Sequence, residues 1–271
     1  MLSLFPEPKF VQQLDKKDEE EKTEKNLIIF IEKIGERLKK EGVPLNKEAR
    51  IDMDAFSKIY SQKEIEKDKE LIKDREKKWQ EKENKEEIKR TGEKLEMLKT
   101  AIFSKFLAKD FIVVRTSRYD DIYNGVDNLI LEKETGNTVC AFDEVGETSG
   151  PRYQEKIEKI LLKNKRNGGE LKYGLKLEKD EESEKTLKLG KLEKIPIFYL
   201  ALNKKYIDEG LKNLVPDFEI KSDYEKKLFD YFLSALNVQI SHLNLEKDLD
   251  PVLKKRLSYF QKSLERFEKK N

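Results

Sequence analysis

The chain has 271 residues, 41% charged and 37% hydrophobic, and its 57 Lys and Arg stand against 55 Asp and Glu for a formal net charge of +2. That balance excludes a uniform basic field, so any nucleic-acid binding has to come from local patches. So high a charged fraction also implies that part of the chain is solvated helix or disordered. A single cysteine, Cys140, and a single histidine, His242, exclude an intrachain disulfide and a Cys/His zinc centre. They also speak against a Ser-His or Cys-His nucleophilic pair. No apolar run approaches the roughly 20 residues of a membrane span, and "MLSLFPEPKF" lacks the build of a signal peptide. A soluble, cytoplasmic protein is the expectation.

Residues 8–41 predict a helix whose apolar patch, "NLIIFIEKIGERL", sets Ile28, Ile31, Ile34 and Leu38 at helical spacing. Gly42 and Pro44 end it. A second, Lys/Glu-rich helical run begins near residue 61. Its Ile65, Ile72 and Trp79 are spaced as a heptad seam that Glu86 interrupts. Residues 1–91 are therefore expected to form a charged helical arm, little buried beyond "LIIFIEKI". It is either held by Glu-Lys pairs four apart or engaged in self-association or with a protein partner.

From Gly92 the character changes. "EKLEMLKTAIFSKFL" is amphipathic through Leu95, Leu98, Ile102, Phe103, Phe106 and Leu107, and "DFIVVRTS" reads as a strand. "DNLILEKETGNTVCAFDEV" reads as a hairpin turning at Thr135-Gly136-Asn137. After Gly150-Pro151 a helix with Tyr153, Ile157, Ile160 and Leu161 inward runs to Gly168-Gly169. Then come a strand "ELKYGLKLEK", a charged loop and the buried-type strand "KIPIFYLAL". Two amphipathic helices close the chain. The first carries Tyr224, Leu228, Phe232, Leu236 and Ile240, and the second Leu253, Leu257, Phe260, Leu264 and Phe267. The expected fold class is α/β, with a mixed-sheet core over 92–222 and a C-terminal helical pair, 223–271, packing on it.

The hairpin carries acids at its open end. With the turn near Gly136, cross-strand partners sum to about 271, which sets Asp127 across from Glu144 and Asp143 from Asn128 or Leu129. Carboxylates on neighbouring strands suit a hard cation such as Mg²⁺ or Mn²⁺. The alternative is structural: Asp127 caps the turn after Asn124-Gly125, and Asp143 with Glu144 ends a strand. On the preceding helix, Glu96 and Lys99 fall inside the apolar arc, where a charge needs a partner unless the side chain snorkels.

The run from that helix through "GVDNLIL" to "TVCAFDEV" resembles the PD-(D/E)XK nuclease superfamily over roughly residues 92–205. In that fold a first helix carries a Glu, an Asp opens one strand, an acid-X-Lys triplet closes the next, and the sheet continues through a helix. The resemblance implies a restriction-endonuclease-like core with Glu96 as helix acid and Asp127, Asp143 and Glu144 at a divalent metal. It implies metal-dependent hydrolysis of DNA or RNA phosphodiesters. The triplet here reads Asp143-Glu144-Val145, so Val145 stands where the lysine belongs. Lys99, Lys156 or Lys172 could supply that amine. Arg115, Arg118, Arg152, Lys163, Lys165 and Arg166 flank the acids as candidate phosphate contacts, whereas Asp120 and Asp121, in the loop before the strand, are expected to matter less. Two other readings stay open. One is a nuclease-like domain without catalysis that acts as a binding or scaffold protein. The other is a nucleotidyltransferase-like enzyme, suggested by the Ser117 to Asp127 spacing, although Thr116 and Leu129 replace that family's Gly and second Asp.

Overall fold

A computed structural model describes residues 9–81, 86–136, 138–145, 148–179 and 185–270, with side chains from residue 21 onward except at 80, 86–90, 139, 144, 145, 152, 179, 185 and 268–270. Among the candidate site residues, the side chains of Glu144 and Arg152 lie outside the described set, as does that of Val145.

Helix α1 (Lys9–Lys40) turns Leu27, Phe30, Ile31, Ile34 and Leu38 inward and leaves Ile28 exposed. A loop with a 3-10 turn at Met53–Phe56 leads to α2 (Gln62–Gln80), which opens on a capping box between Ser61 and Glu64. Next come α3 (Glu86–Leu107), β1 (Phe111–Arg115), a single π turn (Asp120–Asn124), β2 (Asn128–Glu132) and β3 (Thr138–Val145). Helix α4 (Pro151–Arg166) and the hairpin β4 (Gly169–Lys179) and β5 (Lys185–Ile195) precede β6 (Ile197–Ala201). The chain closes with α5 (Lys204–Lys212), α6 (Asp223–Leu245) and α7 (Pro251–Lys270). No helix among the described residues is long and apolar enough to cross a membrane.

The protein is a mixed α/β fold. Its four-stranded sheet has the order β1-β2-β3-β6, antiparallel except that β6 runs parallel to β3. Every residue of β1 and β2 is buried, because helices cover both faces and the strands are continuous apolar runs rather than alternating ones. Both sheet edges are closed. Residues 50 and 51 bridge onto β1, Ile51 N donating to Arg115 O at 3.0 Å. On the other side the Gln239 amide of α6 accepts from Tyr199 N (3.0 Å) and donates to Tyr199 O (2.8 Å) on β6. An open row of strand amides would invite foreign pairing.

Three sequence expectations need correction. The first concerns residues 1–91, expected to be buried little beyond "LIIFIEKI". Val43, Leu45, Ile51, Met53, Phe56, Ile65 and Ile72 are buried with the main core, so Ile65 and Ile72 of the expected seam face their own chain, while Trp79 is half-buried. A stripe of two isoleucines suffices once a groove is there to receive it. The second concerns residues 185–195, read as mostly charged loop. They form β5, whose Leu187 and Leu189 pair with Leu177 and Leu175 of β4, and this ribbon stands apart from the main sheet. The Lys/Leu alternation was the period-2 signal, masked by the charge density. The third is register. Asn128 pairs with Phe142 and Leu129 with Ala141, one step from the expected pairing, so Asp127 lies across from Asp143. The irregularity between Ile130 and Leu131, with Gly136 at φ 75° in the turn, accounts for the shift.

Candidate active site

The polar end of β2 and β3 holds two charged clusters. The first is built on α3. Glu96 is buried and accepts from Arg50 Nη2 at 2.7 Å and from Arg115 Nε at 2.8 Å. Arg115 closes β1, and the bridge of residues 50 and 51 onto that strand lays Arg50 alongside it. Burial alone would raise the Glu96 carboxyl, but Arg115 and Arg50 outweigh it and hold it down at about 2. Burial likewise opposes the charge on Arg50, and Glu96, Asp121 and Asp127 together drive its pKa above the usual value. Arg118 donates to Asp121 at 2.7 Å and pairs with Glu76 at 2.7 Å.

The second cluster gathers Asp127, Asp143 and Asp121 with the lysines of α3 and α4. Asp127 directly precedes β2, its N–H donating to Phe142 O at 2.7 Å. Burial, then Asp121, Asp143 and Glu96, push its carboxyl well above the ordinary range. Asp143 is also raised by burial, although Lys156 and Lys163 act against this. Lys156 Nζ reaches Asp143 Oδ1 at 2.6 Å. Burial would lower this lysine, and Asp143 and Asp127 overcome it. Lys163, two turns further along the same face of α4, donates to Asn124 O. A Cβ at Gly125, which has φ 56°, would sit 3.5 Å from both Asp143 Oδ2 and Lys163 Nζ. The π turn therefore needs glycine at that point for its left-handed backbone conformation rather than for space. Lys99 is fully buried beneath this pair, its Nζ 4.7 Å from the centre of the Phe142 ring. Burial lowers its pKa to about 7, with Asp127, Glu96 and Asp143 opposing.

Asp120 and Asp121, in the loop before the strand, are both held by polar partners. Asp120 is fully buried and accepts from the backbone N–H of Lys172 (2.7 Å) and Tyr173 (3.0 Å), from Ser117 Oγ (2.7 Å) and from Asn124 Nδ2 (2.6 Å). It pins the β4–β5 ribbon to the π turn. Asp121 is the third acid of the second cluster and stands 3.3 Å from Arg50. Arg50 and Asp68 were not anticipated either. Only an arginine amid the apolar residues of "ARIDMDAF" hinted at the former.

The remaining candidates separate clearly. Lys172 lies elsewhere: its amine pairs with Asp68 at 2.6 Å among the rings of Tyr60, Tyr119 and Tyr173. Arg115 and Arg118, expected on phosphate, are committed to carboxylates. Lys165 is exposed and pairs with Glu246 at 2.9 Å, and Arg166 is exposed at the end of α4. Ser117 is taken up by Asp120 and Leu129 is buried, which leaves the nucleotidyltransferase reading without a second metal ligand.

Two clefts lie near the clusters without being lined by Asp121, Asp127 or Asp143. One, of about 410 Å³, is lined by Lys47, Arg50, Glu76, Met97 and Arg118 among others. The other, of about 460 Å³, is lined by Tyr123, Asn124, Lys163, Glu170 and Lys194 among others. Among the described residues, no three His, Cys, Asp or Glu side chains are arranged to hold a metal ion. Fold and site together define a mixed α/β protein with a buried carboxylate–lysine cluster at the end of its sheet. No family model matches the chain, and comparison with curated proteins and with solved structures found no match.

Proposed function

We propose that the protein is a metal-dependent nuclease with a restriction-endonuclease-like core. One observation carries the reading: Asp127 just before β2, whose N–H donates to Phe142 O, sits beside Asp143 of β3, with the Lys156 amine 2.6 Å from Asp143. The element order supports it. A helix bearing Glu96 comes first, Asp127 opens one strand, Asp143 lies near the end of the next, and α4 leads on to β6. Lys156 supplies from a helix the amine that Val145 does not supply from the strand.

The donor set fits a hard cation. Magnesium commonly takes one or two carboxylates plus water and substrate phosphate, and two carboxylates raised by burial, Asp127 also by Asp121 and Asp143 and Asp143 also by Asp121, gain from a cation between them. Asp127 and Asp143 would hold the ion, which when bound polarises the phosphate and lowers the pKa of a water. Lys156, released from Asp143, orients the water, and Lys163 offsets charge developing on the phosphate oxygens. Glu96, locked between two arginines, shapes the site without touching the substrate.

A second reading has its own support. The Asp143–Lys156 pair neutralises in place the charge a metal would neutralise, as expected of a nuclease-like scaffold without catalysis. One pair of measurements separates the two. Calorimetric titration with Mg²⁺ and Mn²⁺ should show binding that Asp127→Asn removes. Incubation with single- and double-stranded DNA and RNA should show metal-dependent cleavage. Absence of both binding and cleavage leaves the scaffold reading.

A further inference from the structure

Beside Asp143 the sheet ends in tyrosines. Parallel pairing sets Tyr199 of β6 directly next to Asp143 of β3, with the two side chains on the same side of the sheet. Tyr153 stands one helical turn before Lys156 on α4. Tyr231 of α6 completes the group, donating its hydroxyl to Ala201 O at 2.8 Å. The three lie near enough together that Tyr153 and Tyr231 bear on the ionisation of Tyr199, and Tyr153 on that of Tyr231. Tyr231 is 44% exposed. Two helical turns back on α6 is Tyr224, neighboured by the exposed Tyr206. A file of aromatic rings thus leads away from the acid pair along α6.

Tyr231 and Tyr206 keep much of their surface in water, whereas Tyr199 and Tyr224 are half-buried with part of each ring against the core. The hydroxyl of Tyr231 is tied to the backbone, so its ring is held in place before any ligand arrives and little ordering entropy is lost on binding. Lys156 and Lys163 lie at the Asp143 end of the file. Flat rings beside cations form the combination that binds unpaired bases, since every base offers a π face whatever its identity. Bases within a duplex are already stacked on each other and cannot reach such a surface.

We propose that Tyr153, Tyr199 and Tyr231 form a stacking platform that guides single-stranded nucleic acid past Asp143. The proposal rests on the nuclease reading and narrows its substrate to single strands or single-stranded ends. It is tested by fluorescence anisotropy with a short labelled oligothymidylate and a labelled duplex of equal length, in EDTA so that no cleavage intervenes. The single strand should bind at least about tenfold more tightly than the duplex, Tyr231→Ala should weaken single-strand binding about tenfold, and Tyr231→Trp should restore it. Thermal melting of each variant establishes that it is folded. Equal affinity for both oligonucleotides, no binding of either, or a Tyr231→Ala variant that binds like the parent overturns the platform. Because the readout needs neither metal nor turnover, failure of the platform leaves metal-dependent cleavage to be judged separately. Failure of cleavage likewise leaves the binding result standing.

Discussion

The two charged clusters at the end of the sheet are similar in burial and composition and opposite in electrostatic character. Around Glu96 acid and guanidinium favour each other's charged form: the carboxyl is held at about 2 and Arg50 is driven above its usual value. Around Asp127 and Asp143 burial raises both carboxyls and lowers Lys99 and Lys163, whereas Lys156, beside Asp143, is raised. The difference lies in pairing geometry. Two guanidinium groups donate directly to one carboxylate in the first cluster, whereas three acids confront one another in the second. A network that has satisfied its own charges has little to gain from a ligand. In the second cluster Lys156 offsets Asp143, yet both Asp127 and Asp143 stay raised, which is where an added cation would be favoured, and perturbed pKa values cluster at functional sites.

Removing the centre of the first cluster should have the largest effect. Glu96→Ala leaves two buried arginines without their shared acid and should cost about 3–5 kcal/mol in urea unfolding. Its pH dependence is signed. The folded carboxyl sits at about 2 against an unfolded value of 4.5, so its contribution is present above 4.5 and is lost as pH falls toward 2. Parent and Glu96→Gln should therefore converge in stability on acidification, and a gap that persists at the acid end would break the contrast between the clusters.

The second cluster should respond in the opposite sense. Asp127→Asn removes a carboxylate that its neighbours repel, so the protein should become more stable by about 1 kcal/mol, or about 2–4 °C in Tm. Metal-dependent cleavage should fall by more than the ~10–100-fold that loss of an outer metal partner costs. Calorimetric melting and a cleavage assay on the same preparation read both effects. A destabilised Asp127→Asn would place this acid among the structural groups.

Lys99 sharpens the comparison further. Its folded pKa of about 7 lies below the ordinary 10.5, so between these values the unfolded chain binds more protons and stability rises with pH. Below about 7 the full penalty for burying the ammonium is present. Lys99→Met should raise stability at neutral pH by about 1–2 kcal/mol, within the usual range for single substitutions. It should also flatten the rise between pH 7 and 10.5, as followed by urea unfolding in EDTA. The smallest effect is expected at Lys172. Its half-buried pair with Asp68 should contribute no more than about 1 kcal/mol, and Lys172→Ala should leave cleavage unchanged where Lys156→Ala abolishes it.

Local order determined much of this molecule. The inward turn of Glu96 and Lys99 follows from a helix whose apolar arc includes their positions, and both are buried. The hairpin with acids at its open end follows from two β-rich runs around Gly136, and the two strands pair antiparallel. The apolar stripes of α6 and α7 follow from periodicity, and Leu228, Phe232, Leu257 and Phe260 are buried accordingly. These features repeat every two or 3.6 residues within one element, so a short window contains them. What the tertiary structure alone decided was register, partnership and membership. A local irregularity at Ile130 and Leu131 set Asp127 opposite Asp143 rather than Glu144. Arg50 reached Glu96 because its backbone bridges onto the edge of β1. Asp121 joined the acids because a π turn carries it there, and Lys156 rather than Lys172 met Asp143 because α4 crosses the sheet while β4 leaves it. Contacts between elements far apart in the chain depend on how whole faces pack, and neither the spacing nor the composition of either element contains that packing.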